Sequence, residues 1–403
     1  MNILIVTQYF WPEAFRINDI AKGLVERGHK VTVLTGLPNY PQGSFYSGYS
    51  LLGPYSDNHD GIKIVRVPLI PRGKKRGLLL VLNYLSFMIF SSLLVPFVCN
   101  EKYDRVFVYQ PSPVTSALPA VVLKFLRKIP IVFWVTDLWP ETLEATGVVK
   151  SKFLLAIWGR FVRFLYDSSD YILVTSKGFI DKIADRGVSR EKIKYWPQWG
   201  EELFAKNIIK ESAVKAGEIP EGFKIMFAGN IGTSQSFETI IGAAEKLKSY
   251  SDIKWIILGD GLMKKWVEEE IKAKGMEDNF FLLGSRPVDE MPAYYQKSDV
   301  LLTSLKSDPL FAITVPAKVQ SYLPSGKPLL ASMDGEGAEL LLDAKAGIAC
   351  AAGSVDELAD GVMKLYRMGT EERQKLGENG KKYFFNNFER EKLLSKLIDI
   401  FNQ

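Results

Sequence analysis

Two carboxylates and one lysine stand where they could do chemistry. The stretch FWVTDLWPE, Phe133 to Glu141, sets Asp137 just past an apolar run and Glu141 four residues later. Carboxylates at a strand end can accept a proton or grip sugar hydroxyls. The alternative is that Asp137 caps the following turn and Pro140 stiffens it. In TVPAKVQSYLPSGKPLLAS, Thr314 to Ser332, Lys318 falls in the first turn of a predicted helix. A cation there opposes the helix dipole, so it calls for a partner. A bound diphosphate and a surface carboxylate are the two choices.

Three glycine turns could receive phosphates. In FAGNIGTSQSFETII, Phe227 to Ile241, a strand ends at Gly229-Asn230, Gly232 turns the chain, and a helix begins soon after Gln235. Backbone N–H groups gathered at the carboxyl end of a strand form a phosphate seat, although a plain strand–helix turn has the same pattern. LGDG sets Asp260 between Gly259 and Gly261 on the same predicted edge, or merely caps the next helix. DGEGAELL, from Asp334, offers Glu336 and Glu339 to a ribose or sugar, or to its own helix N-terminus.

These turns need strands to carry them. Val- and Ile-rich runs, apolar on both faces as a covered parallel sheet requires, are predicted at Asn2–Thr7, Val31–Thr35, Ile62–Val67, Arg105–Tyr109, Ile131–Thr136 and Tyr171–Thr175. Helical patterns lie between them at Ile17–Arg27, Ser116–Arg127, Lys152–Tyr166 and Lys177–Arg186. A Pro, a Gly and two tryptophans in YWPQWGEELF, Tyr195 to Phe204, break the rhythm. It restarts with strands at Lys224–Asn230, Ile253–Gly261, Phe280–Gly284, Val300–Leu305 and Pro328–Met333. The expected fold is α/β, two Rossmann-like doubly wound domains facing a central cleft. Their expected bounds are 1–196 and 197–385, with a C-terminal helix at 386–403 packing back toward the first domain.

Composition narrows the function classes. With 403 residues, 47% of them hydrophobic and 24% charged, the chain is an ordinary two-domain globular protein. Cys99 and Cys350 lie too far apart in sequence to suggest a disulfide framework or metal cage. MNILIVTQYF has no basic segment before its apolar run, so it reads as a strand and not as a signal peptide. Residues 1–200 hold 25 Lys and Arg against 15 Asp and Glu, a net +10, and the remaining 26 against 31 give −5. A basic first half suits anionic lipid or phosphorylated substrates; scattered solvated lysines are the plainer reading. No G-x-G-x-x-G follows the first strand, and there is no Walker motif and no D-x-D. His29 and His59 support neither a histidine metal site nor a Ser-His-Asp triad.

One segment is apolar enough to span a bilayer. Gly77 to Cys99 carry no charge, directly after Arg72, Lys74, Lys75 and Arg76. It lies between two predicted strands of one sheet, so crossing once would split that sheet across the membrane. Asn83, Ser86, Ser91, Ser92 and Pro96 interrupt it, which suits a helix broken near Pro96. The expectation is monotopic contact, with Tyr84 and Phe87 in the lipid interface and the four cations on phosphates. A wholly buried helix stays open.

In these ordered motifs, YFWPE, RGHKVTVLTG, TDLWPE, FAGNIG, LGDG and SGKPLLAS, the whole chain resembles the GT-B glycosyltransferases of family 4. It looks most like the branch that makes bacterial O-antigen, capsule and colanic-acid-like polymers. FRIND and LPNYPQG resemble the amino-sugar transferases, including N-acetyl-L-fucosamine transferases. The resemblance implies transfer from a UDP-sugar to a polyprenyl-diphosphate-linked saccharide, with retention, no metal or other cofactor, and no nucleic-acid partner. The place implied is the cytoplasmic face of the bacterial inner membrane, held peripherally. It implies catalysis by Asp137, Glu141 and Lys318. It implies a donor site of Gly229, Asn230, Gly232, Gln235, Gly259, Asp260, Gly261, Arg286, Lys318, Glu336 and Glu339. The acceptor and membrane side takes Glu13, Arg16, Arg72, Lys74, Lys75, Arg76, Tyr84 and Phe87. Asn230 and Gln235 stand where relatives often have an Arg and a Lys, so the positive charge must come from Lys318 first or Arg286 second. The paired glutamates of the family are missing: Ser321 holds the place of one, and Asp308 is the acid nearest the other. A UDP-sugar 2-epimerase and a non-catalytic binding module on the same fold are the alternatives.

Overall fold

The computed structural model describes residues 1–73, 77–145, 149, 151–200, 204, 210 and 213–403. The chain divides into two compact units, Met1–Trp196 with Leu394–Gln403, and Pro197–Leu393.

The first unit runs β1 (Asn2–Val6), α1 (Arg16–Glu26), β2 (Lys30–Gly36), β3 (Ser56–His59), β4 (Ile62–Val67), α2 (Leu78–Val98), β5 (Arg105–Gln110), α3 (Leu118–Arg127), β6 (Ile131–Val135), α4 (Glu141–Ala145), α5 (Lys152–Asp167), β7 (Tyr171–Val174), α6 (Gly178–Ala184) and β8 (Ile193–Tyr195). Its sheet has the order β3-β4-β2-β1-β5-β6-β7-β8. All pairings are parallel except β3 with β4. The central strands are buried on both faces because their side chains are apolar on both. Phe107 meets Phe401 of the last helix edge-on, ring centroids 5.7 Å apart.

The second unit runs β9 (Phe223–Ala228), α7 (Phe237–Lys246), β10 (Ile253–Leu258), α8 (Lys264–Ala273), β11 (Phe280–Gly284), α9 (Met291–Lys297), β12 (Val300–Ser304), α10 (Pro309–Ala312), α11 (Ala317–Tyr322), β13 (Leu329–Ser332), α12 (Glu336–Asp343), β14 (Gly347–Cys350), α13 (Val355–Arg367) and α14 (Thr370–Asn387). The last helix, α15 (Arg390–Asn402), begins here. The strand order is β11-β10-β9-β12-β13-β14, all parallel. Strand order reverses beside β1 in one sheet and beside β9 in the other. Ligands in such sheets lie beyond the carboxyl ends of the strands at the reversal.

Helix α2 departs from expectation in three ways. It is continuous from Leu78 to Val98, with Pro96 in its last turn and no break there. Near the C-terminus proline costs only one hydrogen bond, and Arg127 donates to the helix-end carbonyls of Pro96 (2.6 Å) and Cys99 (2.7 Å). Phe87 is fully buried and meets no interface, because it shares the inward stripe with Asn83, Ser91 and Val95 at helical spacing. Tyr84 is half-buried and its hydroxyl hydrogen-bonds Tyr9, so it too turns inward. Lys74, Lys75 and Arg76 lie outside the described residues.

The inward stripe of α2 is held by polar contacts. Gln8 Nε2 donates to Asn83 Oδ1 (2.7 Å), and Asn83 Nδ2 donates to the Ile70 carbonyl (2.7 Å). Ser86 Oγ accepts from the Ile70 N–H (2.9 Å). Asn83→Leu, although it makes an apolar helix more apolar, should destabilise the fold by roughly 1–3 kcal/mol by stranding these buried groups. Urea denaturation measures this; unchanged stability would show that these contacts hold nothing.

Candidate functional site

The second unit carries a cavity of about 400 Å³ at the carboxyl ends of β9 and β10. The FAGN and LGDG turns are stitched together there. Gly229 N–H donates to the Leu258 carbonyl (2.8 Å) and Ile231 N–H to the Asp260 carbonyl (2.9 Å). Gly259 has φ +148°, and a Cβ on it would lie 1.9 Å from the Gly229 carbonyl oxygen. Only glycine permits this approach.

Lys318, the second residue of α11, reaches into this cavity. Its Nζ stands 3.6 Å from the centroid of the buried Phe227 ring and has no hydrogen-bond partner. A Cβ on Gly229 would strike its Cε at 2.5 Å, so Gly229 makes room for the lysine stem. Burial pulls its pKa down to about 7, since desolvation disfavours the ammonium. The ring face returns part of that cost. Among the described residues no carboxylate balances it, and none of them supplies the expected partner.

The other donor-side candidates separate. Asn230, Gly259, Asp260 and Arg286 line the cavity with Gly229 and Lys318. The Arg286 charge is already matched: it pairs with Glu218 and donates to Tyr294 Oη (2.8 Å). That holds the Glu218 carboxyl below its usual range, and Arg286 is therefore corrected from free charge to structured wall. Gln235 is likewise spent on its own turn, where Oε1 accepts from Gly232 N–H (3.1 Å) and lies 3.5 Å from Asn230 Nδ2. Gly232, Gln235 and Gly261 back the cavity without lining it. Glu336 and Glu339, in the first turn of α12, do not line it either. Asp308 caps α10 through the Leu310 N–H (2.8 Å), whereas Ser321 does line the cavity.

Sequence reasoning missed the aromatic wall. Phe204 stacks on Tyr295 at 5.4 Å and 22°, and both line the cavity. Tyr322 Oη accepts from Ala228 N–H (2.8 Å) and donates to the Ala228 carbonyl (3.0 Å), locking α11 onto the end of β9. Phe204 lay inside the junction stretch, where its aromatic character was the available signal.

At the carboxyl edge of the first sheet, Asp137 follows β6 and Arg16 opens α1, with Tyr109 of β5 between them. Burial lifts the Tyr109 hydroxyl above the usual phenol range, and it feels both charges, Arg16 lowering its pKa and Asp137 adding a smaller rise. Burial raises Asp137 to about 7. Glu141 is corrected from a catalytic to a bracing role: it pairs with Arg186 at the start of α4. Glu13 is buried and accepts from the N–H groups of Asn39 (2.8 Å) and Tyr40 (2.7 Å), with its pKa raised to about 7 by burial. It braces the loop on which Arg72 lies over the Tyr40 ring at 4.7 Å. Among the described residues, no group of three or more His, Cys, Asp or Glu is placed to hold a metal ion.

Comparisons with known proteins agree with this architecture. Residues 14–199 match the glycosyl transferase 4-like domain family, and residues 209–383 match glycosyl transferases group 1. A protein of Escherichia coli strain K12 described as a colanic acid biosynthesis glycosyl transferase, WcaI, is 24% identical over 339 residues, 81% of this chain and 82% of its own. A crystal structure of HepE from Anabaena with UDP and glucose superposes over 100% of both chains, with TM-score 0.70 and 17% identity. That of WaaG, a glycosyltransferase involved in lipopolysaccharide biosynthesis, covers 100% of this chain and 99% of its own, with TM-score 0.67 and 15% identity. The two domain matches follow one another along the chain and the fold is theirs, so the chain belongs to the GT-B glycosyltransferases, with a 4-like first half and a group 1 second half.

Proposed function

We propose that the chain moves an amino sugar from a UDP-sugar to a polyprenyl-diphosphate-linked saccharide in surface-polysaccharide synthesis. The N-acetylated 6-deoxy sugars are the narrower expectation, from FRIND and LPNYPQG. The reaction retains the anomeric configuration and needs no metal, and the protein works peripherally at the cytoplasmic face of the bacterial inner membrane. The observation that carries the reading is Lys318, a buried amine in a cavity with no counter-charge among the described residues. A diphosphate entering there supplies that charge, and the resulting pair stabilises the leaving group as charge develops on it. The names of WcaI and WaaG and the UDP bound in HepE support the substrate class.

On the acceptor side, Asp137 stands just past β6, where its carboxyl can grip and orient an acceptor hydroxyl. Arg16 lies on the other side of Tyr109, a cation for an anionic acceptor. The donor's own phosphate takes the acceptor proton, and the protein contributes position and charge.

The reaction is tested by incubating the chain with membranes carrying polyprenyl-linked saccharides and a mixed pool of UDP-sugars. Release of UDP with a gain of one sugar in the lipid-linked product, unchanged by EDTA, is expected. No release with any donor would favour a binding module; interconversion of UDP-sugars without transfer would favour a 2-epimerase.

Two substitutions probe the site. Lys318→Met should weaken UDP binding by about tenfold or more while raising the melting temperature of the unliganded chain, because it removes an unpaired buried amine. Unchanged affinity by calorimetry would remove Lys318 from the donor site. Asp137→Asn should lower turnover by about a hundredfold and leave UDP affinity nearly intact. The folded Asp137 pKa of about 7 lies above the unfolded carboxyl value, so the native state loses stability as pH rises between the two. Asp137→Asn should therefore stabilise the protein by an amount that grows as pH rises from the unfolded carboxyl value to neutrality, and change little below that value; a stability gain that did not depend on pH would contradict the burial of this carboxyl.

A further inference from the structure

Helices α2, α3 and α5 form one layer. Each makes a crossover that steps the same way along the sheet, from β4 to β5, β5 to β6 and β6 to β7. Right-handed crossovers in one direction place their helices on one face. Side chains tie the layer together. Arg127 of α3 caps α2, and Lys124 of α3 bonds Asp170, just past α5, at 2.7 Å.

The outward surface of this layer is inverted. In α2 the polar Asn83 and Ser91 are buried, while Leu93 and Phe97 are 65% and 74% exposed. Only 28% of its most apolar window is buried, at mean hydropathy 2.2. The neighbouring helices continue the surface, with Phe125 of α3 87% and Phe153 of α5 73% exposed. An apolar surface spread over three adjacent helices marks an interaction site.

The charges on the layer indicate what covers it. No charged residue occurs in α2. In α3, Lys124 and Arg127 are engaged with Asp170 and the end of α2, and α5 adds the exposed cations Lys152 and Arg160. The one acid of the three helices, Asp167, is paired with Arg163 at 3.3 Å. A second copy seated on this face would set cations against cations. An anionic lipid surface takes both parts, apolar side chains at the acyl boundary and cations at the phosphates.

From this geometry we infer that the chain docks on anionic bilayers through the combined outward faces of α2, α3 and α5, without crossing. It cannot cross, because β4 and β5, on either side of α2, belong to one sheet. The inference deepens the membrane location proposed above and moves the lipid contact from Tyr84 and Phe87 to Leu93, Phe97, Phe125 and Phe153.

Flotation of the full chain with vesicles tests it. The parent should bind phosphatidylethanolamine–phosphatidylglycerol vesicles, bind pure phosphatidylcholine more weakly, and release in high salt. Phe125→Ser combined with Phe153→Ser should weaken binding by about tenfold or more while UDP affinity, read by calorimetry, is unchanged. Three results would overturn the docking face: a parent that does not float, a double variant that floats like the parent, or a dimer by light scattering that the double variant converts to monomer. Vesicle binding is scored without sugar transfer, so a failed transferase assay leaves this result standing.

Discussion

A buried amine with no counter-charge among the described residues organises the second unit. Lys318 sits where a helix start and burial both disfavour its charge, and the Phe227 ring face offsets only part of that. Its neighbours are consistent with keeping that condition. Gly229 leaves room for its stem, Tyr322 fixes α11 to β9, and Arg286 is neutralised by Glu218. Among the described residues the cavity therefore presents Lys318 to an incoming anion, and the other charge on its wall is committed. A site of this kind gives up stability when empty and recovers it on binding, the usual mark of a functional residue as opposed to a structural one.

The first unit shows the same trade on a larger scale. Helix α2 directs Asn83, Ser86 and Ser91 inward and Leu78, Leu93 and Phe97 outward. Inward, the polar groups satisfy the Gln8 amide N–H and the Ile70 backbone, which offsets much of the cost of burying them. Outward, the apolar surface gains nothing from water. Such a helix is unfavourable on a free soluble protein and favourable at a lipid surface, where its neighbours α3 and α5 add both apolar area and positive charge.

Much of this was legible in the sequence, and what was not has a physical reason. The central strands declared themselves by being apolar on both faces. Strand β3, SDNH, is polar and antiparallel at the sheet edge, and β8 is three residues at the other edge. Neither has the two-faced apolar run that buried strands require. The glycine turns and the need of Lys318 for a partner were readable. The pairs that withdrew Glu141 and Arg286 were not, since their partners lie 45 and 68 residues away. The orientation of α2 was also hidden: apolar residues surround the helix, so composition could not say which stripe faced the sheet.

The role of Lys318 is tested most directly by the proton balance of UDP binding. Calorimetry in buffers of different ionisation heat, about one pH unit above neutrality, finds UDP already ionised and Lys318 largely neutral. Net proton uptake by the parent that disappears in Lys318→Met is the expected result. Binding without proton uptake, or the same uptake in both proteins, would contradict it.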